Sequence, residues 1–345
     1  MHSIPNRVFY PLILLATILA GLVFHNPASG QRAKDFLKKI RDEQNKLKNQ
    51  PKATLTDALL SGELIVSPGS KDQELRFVYV APGTVRFGLT NEERDLLRIR
   101  TQNPLLGHNC SPQTSIRVTR GFFLLDHEVT ESEFHLFLKE TRNPKRPLKN
   151  PFAKDSYFAK IANARAGSTL PVTNISWLEA MAYCEWLQKK TGHLVRLPTE
   201  IEWEYAARGN WETFYPWSGK GFHAWAEKGT KGEPRSLDRK KSKDVSWCGV
   251  YDLGGNVSEW CLDLYTDKSP VGKKTYNPND RLVGEYSQDE LMFARTIRGG
   301  NFRDSKTNCV VSIRRSLAAT QSENYLGFRP VLLIRNPQSQ NGTNK

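Results

Sequence analysis

The sequence contains little sulfur, with three methionines and five cysteines among 345 residues. No two cysteines form a C-x-x-C pair and none has histidine partners at zinc-finger spacing, which argues against a structural zinc site. In an oxidising compartment, an odd number of cysteines leaves at least one thiol outside any intramolecular disulfide. The five are Cys110, Cys184, Cys248, Cys261 and Cys309.

Several catalytic motifs are absent as well. The sequence has no G-x-x-x-x-G-K-[ST] loop, no H-E-x-x-H helix and no G-x-S-x-G turn. These absences argue against a P-loop nucleotidase, a zinc protease and an α/β-hydrolase. The seven histidines are scattered singly, so a three-histidine iron site is not supported, and we expect His127 and His193 to be surface or capping residues.

The composition is that of a folded protein, with 38% hydrophobic, 25% charged and 10% aromatic residues. These fractions exclude a wholly disordered chain, a collagen and a polytopic membrane protein. A net charge of +14 favours anionic neighbours such as a polysaccharide or a membrane surface. We expect no nucleic-acid partner, because no stacking aromatic residues interleave the basic run at 239–243, which we interpret as a solvated loop.

The N-terminus has the pattern of an export signal. Arg7 precedes an apolar run at residues 8–24, and small residues follow at Ala28 and Gly30. We interpret residues 1–30 as a secretory signal peptide. The alternative is an uncleaved anchor, because the run approaches the ~20 residues needed to span a bilayer. Both interpretations place the rest of the chain outside the cytoplasm, either periplasmic or secreted, or anchored to the membrane by residues 8–24.

Charge and polarity divide the remaining chain into three parts. Residues 31–70 form a charged helical tether or linker, and residues 1–50 could alternatively contact a membrane surface or a partner. Residues 71–335 carry the pattern of one large domain, and residues 336–345 form a polar flexible tail.

Within that domain the sequence predicts short elements of both kinds. A hairpin is predicted at residues 75–88, strand composition continues over 114–125, and further strands are expected at 295–298 and 327–334. Ser or Thr followed three residues later by Glu predicts three helix starts with capping boxes. The pairs are Thr130 with Glu133, Ser176 with Glu179, and Thr199 with Glu202. Few helices among irregular strands predict an α+β domain.

We expect each helix to bury a few apolar side chains. They are Phe134, Phe137 and Leu138 in the first helix, Trp177, Met181, Cys184 and Leu187 in the second, and Ile201 and Tyr205 in the third. The second should end near Gly192 and the third at Gly209. Trp177, Trp203 and Trp260 are expected in the core.

Seven segments, taken together and in order, resemble the formylglycine-generating enzyme (sulfatase-modifying factor) family. They are FVYVAPG (77–83) with FG (87–88), FFLLDHEVT (122–130), PVTNISW (171–177), RLPTEIEWEYAAR (196–208), YPW (215–217), YDLGGNVSEW (251–260), and IRGGN (297–301) with LGFR (326–329). The resemblance implies the family's fold, an α+β variant of the C-type-lectin fold with little regular secondary structure.

The resemblance also implies where the chemistry of the family would reside. Its active members oxidise a sulfatase cysteine to formylglycine with two cysteines, five positions apart, downstream of Gly-Gly-Ser. Counted from Gly300, those positions hold Asp304 and Cys309, and Asn301 replaces the serine. Cu(I) prefers a pair of sulfur ligands, so we expect no copper site here. Cys309 remains a candidate catalytic residue, or else a small buried hydrophobe.

Two further sets of residues follow from the resemblance. Arg314 would face a substrate groove together with Asp304, Cys309 and Tyr325, whereas Arg329 would hold the last strand. A calcium site would use the side chains of Asp252 and Glu259 and the carbonyls of Gly255 and Val257, which are hard oxygen ligands. The alternative for this loop is a tight turn with a solvated Glu259.

Three functions therefore stay open. The first is an exported, non-catalytic binding or scaffold domain for a protein, peptide or glycan, because Asp304 replaces the first copper cysteine. The second is a divergent formylglycine-generating oxidase, in which Cys309 works with another thiol that is near in space. The third is a carbohydrate-binding module that uses the lectin-like fold.

Overall fold

The computed structural model describes residues 58–59, 61–69, 74–104, 106–110, 112–141, 167–217, 232–240, 242–267, 274–277, 293–304 and 308–333. The predicted signal segment, the tether up to residue 57 and the C-terminal tail lie outside these ranges. The chain divides into two compact units, residues 1–65 and 66–345. Within the described ranges, no helix combines the length and hydropathy needed to cross a bilayer.

The described residues form short elements throughout. The helices are α1 (Asn91–Thr101), α2 (Glu131–Thr141), α3 (Trp177–Thr191) and α4 (Glu200–Arg208). The strands are β1 (Glu63–Val66), β2 (Leu75–Val80), β3 (Gly83–Phe87), β4 (Thr114–Val118), β5 (Phe122–Leu125), β6 (Leu194–Arg196), β7 (Ser258–Leu264), β8 (Thr275–Tyr276), β9 (Ala294–Arg298), β10 (Arg314–Ala318), β11 (Leu326–Gly327) and β12 (Val331–Leu333).

Three sheets organise the larger unit. The first contains β2, β5, β12 and β6 in that order, each antiparallel to its neighbour. The second has the order β10, β9, β7, β11, and its last pair is parallel. The third has the order β3, β4, β8. This mixture of small sheets and few helices confirms the predicted α+β class.

The predicted hairpin at residues 75–88 is wrong, although both strands exist. β2 pairs with β5 and β3 pairs with β4, so the connection at Ala81–Gly83 carries the chain from one sheet to another. The Tyr205 hydroxyl donates to the Ala81 carbonyl at 2.9 Å and holds this connection. A Cβ on Gly83 would lie 2.2 Å from the Tyr205 oxygen, so glycine lets the chain pass close to that side chain.

The predicted strand at 327–334 is split in the structure. β11 runs parallel to β7 in the second sheet, and β12 lies between β5 and β6 in the first. Pro330 precedes β12, and its missing N–H cannot continue a ladder. Three residues, 328–330, therefore carry the chain between two sheets.

The three predicted capping boxes are confirmed. The hydroxyl of Ser176 accepts from the Glu179 N–H, and Thr199 and Glu202 are paired in the same way. Glu133 bonds the Thr130 N–H at 2.7 Å. A fourth box at Thr90 begins α1, which the sequence did not predict because that helix is highly charged and buries Leu97 alone.

Most of the apolar residues assigned to the helices are buried as expected, and α4 is buried along its whole length. Met181 is the exception and is half-buried, whereas Tyr183 and Trp186 fill the core beside it. The three tryptophans expected in the core are buried. The indole N–H of Trp177 donates to the Cys261 carbonyl at 2.9 Å and that of Trp260 to the Ile175 carbonyl at 2.7 Å, so their polar atoms are satisfied.

Candidate functional site

The segment after β9 is shaped by two glycines. Gly299 has φ +78°, a conformation that glycine adopts at little cost. Gly300 lies against Cys309, since a Cβ at Gly300 would come within 2.5 Å of the Cys309 sulfur and 2.8 Å of its Cα. The Gly-Gly pair thus makes the turn and brings the backbone into contact with the second predicted copper position.

Cys309 lies inside the protein, with an exposed fraction of 2%. It belongs to an apolar cluster whose buried members are Leu89, Leu97, Cys110, Tyr215, Cys309, Val310 and Ile313. No disulfide joins any two of the five cysteines, all of which lie within the described ranges. Burial raises the pKa of Cys110 to about 11, so this thiol is protonated at neutral pH.

Asp304, at the first predicted copper position, is engaged in an ion pair. Its Oδ2 lies 2.8 Å from the Arg315 Nη2 and accepts a hydrogen bond from the Asn301 N–H at 3.1 Å. Asn301 in turn donates to the Ser258 hydroxyl and accepts from the Arg303 N–H. A carboxylate that stabilises the turn therefore occupies the position where the family has a thiolate.

Tyr325 lies near Asp304, as the predicted groove requires. Burial raises the pKa of the half-buried Tyr325 hydroxyl, and Glu323, Arg315, Arg303 and Asp304 all interact with it electrostatically. The guanidinium of Arg303 lies 5.6 Å from the Tyr325 ring centroid, within cation–π range. We call Arg303, Asp304, Arg315 and Tyr325 the Asp304 surface.

Arg314 does not belong to this surface, so its predicted position in the groove is wrong. Its side chain is 1% exposed. Nε and Nη2 donate to the two carboxylate oxygens of Glu200 at 2.7 and 3.0 Å, and Nη1 donates to the carbonyls of Asn109 and Thr266. The bidentate pair ties β10 to the first turn of α4, which is a structural role.

Arg329 is buried and makes the ion pair and carbonyl contacts that were expected to hold the last strand. Its Nε and Nη2 donate to the two Glu259 oxygens at 2.8 and 2.6 Å. Its remaining N–H groups reach the carbonyls of Leu125 and Tyr251. Trp203 also donates to Glu259 at 2.9 Å, so three donors engage this carboxylate.

The predicted calcium ligands lie in the buried loop before β7 and at the start of that strand, but the two carboxylates are already engaged. Glu259 is bonded as described, and Asp252 Oδ1 accepts from Arg235 and from the Ser242 hydroxyl. Within the described ranges, no group of three or more His, Cys, Asp and Glu side chains is arranged to hold a metal ion. Arg235 and Arg329 thus engage the two carboxylates that the calcium prediction uses, and Glu259 is buried rather than solvated.

Glu128 is a further buried carboxylate that contacts this loop, and no sequence pattern singled it out. Its carboxylate accepts from the Asn256 amide at 2.7 Å and the Val257 N–H at 3.2 Å. Burial and the nearby Glu259 carboxylate raise the pKa of Glu128 to about 8, although Arg329 opposes the shift. Glu128 is the last residue of the Asp-His-Glu tripeptide at 126–128, but no local pattern shows which distant loop its side chain contacts.

The expectation that His127 is a surface or capping residue is wrong. Its Nδ1 lies 2.5 Å from Asp126 and its Nε2 lies 2.9 Å from Glu133, and the ring is buried. Burial alone would lower the pKa of His127, but these two carboxylates raise it to about 9. Arg239 bonds Asp126 at 2.7 and 2.9 Å, so the basic run at 239–243 is anchored to the domain at its first residue.

Taken together, the small sheets, the four capped helices and the buried ion pairs define an α+β domain of the C-type-lectin-like class. The solved structure of PvdO from Pseudomonas aeruginosa is similar, with a TM-score of 0.54 at 18% identity, and the match covers 78% of this chain and 98% of that one. At this level of identity the similarity concerns the fold.

The family assignment comes from sequence comparison. Residues 65–334 match the sulfatase-modifying factor enzyme 1-like domain. The chain therefore belongs to that family, as its motifs predicted.

The relatives differ in the activity that their names state. Formylglycine-generating enzyme of Mus musculus is 32% identical over 178 residues, which cover 47% of this chain and 44% of the mouse protein. Inactive C-alpha-formylglycine-generating enzyme 2 of Bos taurus is 39% identical over 106 residues, which cover 28% of this chain and 33% of the bovine protein. The aligned regions thus span less than half of either relative, and membership alone does not decide whether this chain is catalytic.

Proposed function

We propose that this chain is an exported, non-catalytic member of the family that binds an acidic peptide or protein segment at the Asp304 surface. The observation that carries the proposal is the ion pair between Asp304 and Arg315 at 2.8 Å. Cu(I) needs two soft sulfur ligands, and the first of the two positions holds a hard carboxylate that already bonds a guanidinium.

The chemistry of Cys309 supports the same conclusion. The side chain is buried against Gly300 and inside an apolar cluster. A buried cysteine in such surroundings behaves as a small hydrophobe rather than as a nucleophile.

Charge and shape at the Asp304 surface support an acidic ligand. Arg303 is exposed and Arg315 is half-buried, with 28% of its side chain accessible. Asp304 bonds Arg315 and Glu323 also lies near the Tyr325 hydroxyl, so the exposed Arg303 is the group that would attract an acidic ligand beside the Tyr325 ring. Guanidinium groups bind carboxylates in a bidentate manner, and tyrosine adds contact area at low entropic cost.

Export is supported by the sequence pattern of residues 1–30, namely a basic residue, the apolar run at 8–24 and small residues near position 30. If the chain is exported, the protein or peptide that it binds also lies outside the cytoplasm. Residues 1–50 would supply the contact with a membrane surface if the segment were retained.

Two measurements test the proposal on the purified chain. The first is aerobic incubation with copper and a Cys-x-Pro-x-Arg peptide, for which we expect no mass change to an aldehyde. The second is the binding of a fluorescent oligoglutamate peptide by anisotropy, which we expect Arg303→Ala to weaken about tenfold. Lys189→Ala serves as the matched control, because Lys189 is 71% exposed on α3. Aldehyde formation, or equal affinities for the two variants, would contradict the proposal.

A divergent oxidase is the second candidate, and one observation favours it. Cys110 and Cys309 belong to the same apolar cluster, so Cys110 rather than a residue at position 304 would be the second thiol of such an oxidase. An anaerobic Cu(I) titration with Cys110→Ser and Cys309→Ser separates the two functions. If both variants lose tight binding of one copper ion, the two thiols act together and the oxidase is favoured.

A further inference from the structure

A cavity outside the Asp304 surface has no role in the function proposed above. It has a volume of about 420 Å³ and is lined by Thr84, Tyr205, Gly209, Asn210, Trp211 and Trp247. The volume falls within the usual range of small-molecule sites. None of these residues belongs to the Asp304 surface or to the apolar cluster around Cys309.

The cavity presents two indole rings to solvent. Trp211 is 58% exposed and Trp247 is 38% exposed, whereas Trp177, Trp203 and Trp260 are buried. Contiguous apolar surface that stays exposed on a folded domain often marks a binding site, and these two rings line the same cavity.

The inner wall of the cavity is preorganised. The Trp247 indole N–H donates to the Tyr205 carbonyl at 2.8 Å, and the two rings lie 5.4 Å apart. Gly209 leaves room for the indole, since a Cβ at this position would come within 3.0 Å of Trp247 Nε1. A ligand would therefore meet a ring that is already fixed in place, which lowers the entropic cost of binding.

Polar groups border the aromatic wall. Thr84 contributes a hydroxyl and the exposed Asn210 contributes an amide. Arg117 lies opposite Thr84 in the β3–β4 register, so it shares the same face of the sheet, and it is exposed. Arg86 pairs with Glu212, which balances those two charges.

Two classes of ligand commonly bind aromatic walls, quaternary ammonium groups and sugar rings, and the charges around this cavity distinguish them. A quaternary ammonium would be attracted to the indole faces but repelled by Arg117. A sugar ring meets no such conflict, because its C–H groups pack on the electron-rich indole faces and its hydroxyls exchange hydrogen bonds with an amide and a hydroxyl. A carboxylate on the sugar would also be attracted to the Arg117 guanidinium.

We propose that this cavity binds a pyranose ring of a glycan, with a preference for uronic acids. Trp211 and Trp247 provide the stacking surface, Asn210 and Thr84 bind hydroxyls, and Arg117 attracts the carboxylate. This site is independent of the Asp304 surface and of the question of catalysis.

The test is calorimetric titration of the full chain with tetragalacturonic acid and with neutral cellotetraose. We expect both to bind, the acidic sugar more tightly. Trp211→Ala should weaken both by tenfold or more, and Arg117→Ala should weaken tetragalacturonic acid alone, by about fivefold. Phe293→Ala is the matched control, because this exposed aromatic residue lies outside the cavity.

Three results would overturn the proposal. They are no heat with either sugar at millimolar concentration, unchanged affinities in the Trp211→Ala variant, and tetramethylammonium binding that Trp211→Ala abolishes in the absence of sugar binding. Binding of the oligoglutamate peptide in the same Trp211→Ala variant is expected to be normal, so failure of this site and failure of the Asp304 surface are distinguishable.

Discussion

Arg329 and Glu259 form a bidentate ion pair in the interior, with nitrogen–oxygen distances of 2.8 and 2.6 Å and side chains at most 1% exposed. Arg329 lies between β11 and β12 and Glu259 lies in β7, so the pair connects the crossing from the second sheet to the first with an inner strand of the second sheet. Trp203 on α4 donates to the same carboxylate. One buried acid thus joins three parts of the domain.

We expect Arg329→Met to lower the free energy of unfolding by about 3–5 kcal/mol, because it leaves the Glu259 charge buried without its partner. Urea denaturation measures the change. The exposed pair of Lys189 with Glu185 is the control, and Lys189→Met should cost less than about 1 kcal/mol. Similar losses in the two variants would contradict the structural role of Arg329.

His127 should make stability depend on pH. Its pKa is raised to about 9 by Glu133 and Asp126, above the unfolded value of about 6.5. The stabilisation is therefore fully present below about pH 6.5 and is lost as the pH rises through 9, an effect of roughly 3 kcal/mol. The destabilisation caused by His127→Gln should be largest near pH 6 and smaller at pH 9.5. Denaturation curves of both proteins across this range provide the test, and a constant difference would refute the ion pair.

The contact between Gly300 and Cys309 predicts a coupled pair of mutations. Gly300→Ala should destabilise the protein by about 1–3 kcal/mol, because the new methyl group overlaps the Cys309 sulfur. The cost should be smaller in a Cys309→Ala background, although the Cys309 Cα at 2.8 Å leaves part of it. A double-mutant cycle by urea denaturation measures the coupling. Strict additivity would mean that the two residues do not touch.

Removal of divalent cations tests the calcium loop. Because arginines already engage Asp252 and Glu259, we expect the melting temperature to be the same in EDTA and in millimolar Ca²⁺. Thermal denaturation in the two buffers, with Mg²⁺ as the comparison ion, is sufficient. A rise of several degrees with Ca²⁺ alone would show that the carboxylates exchange guanidinium for metal.

Asp304→Cys should increase the affinity for Cu(I), because it supplies a second sulfur at the spacing that active relatives are expected to use. A competitive titration with a Cu(I) chelator under anaerobic conditions measures the change, with Asp304→Ala as the control for loss of the Arg315 ion pair. Equal affinities of the two variants would mean that Cys309 is not accessible to a ligand on this surface.

Local sequence patterns were sufficient to predict the elements that are defined by residues a few positions apart. The capping boxes at Ser176 and Thr199 are self-contained, since the side chains that identify them also make the bonds. Strand pairing was not predictable in this way. Ala81–Gly83 has the composition of a hairpin turn, yet the hydroxyl of Tyr205, more than a hundred residues away, decides how that connection runs.

The candidate site shows the same division. The resemblance singled out Asp304 and Cys309 by their spacing from Gly300 and placed Tyr325 and Arg314 with them in a groove; the structure brings Asp304 and Tyr325 together. The position of Arg314 in the sequence did not show which carboxylate its side chain would meet. Glu200, the partner of Arg314, lies 114 residues earlier in the chain.

The interior position of β12 has a consequence for synthesis on the ribosome. This strand, at residues 331–333, lies between β5 and β6 and completes the first sheet, while β11, only four residues earlier, borders the second. Both sheets therefore need residues 326–333. A nascent polypeptide that ends before residue 326 has its first sheet interrupted between β5 and β6 and lacks the β11 edge of the second, so neither sheet can be completed until these residues have left the exit tunnel.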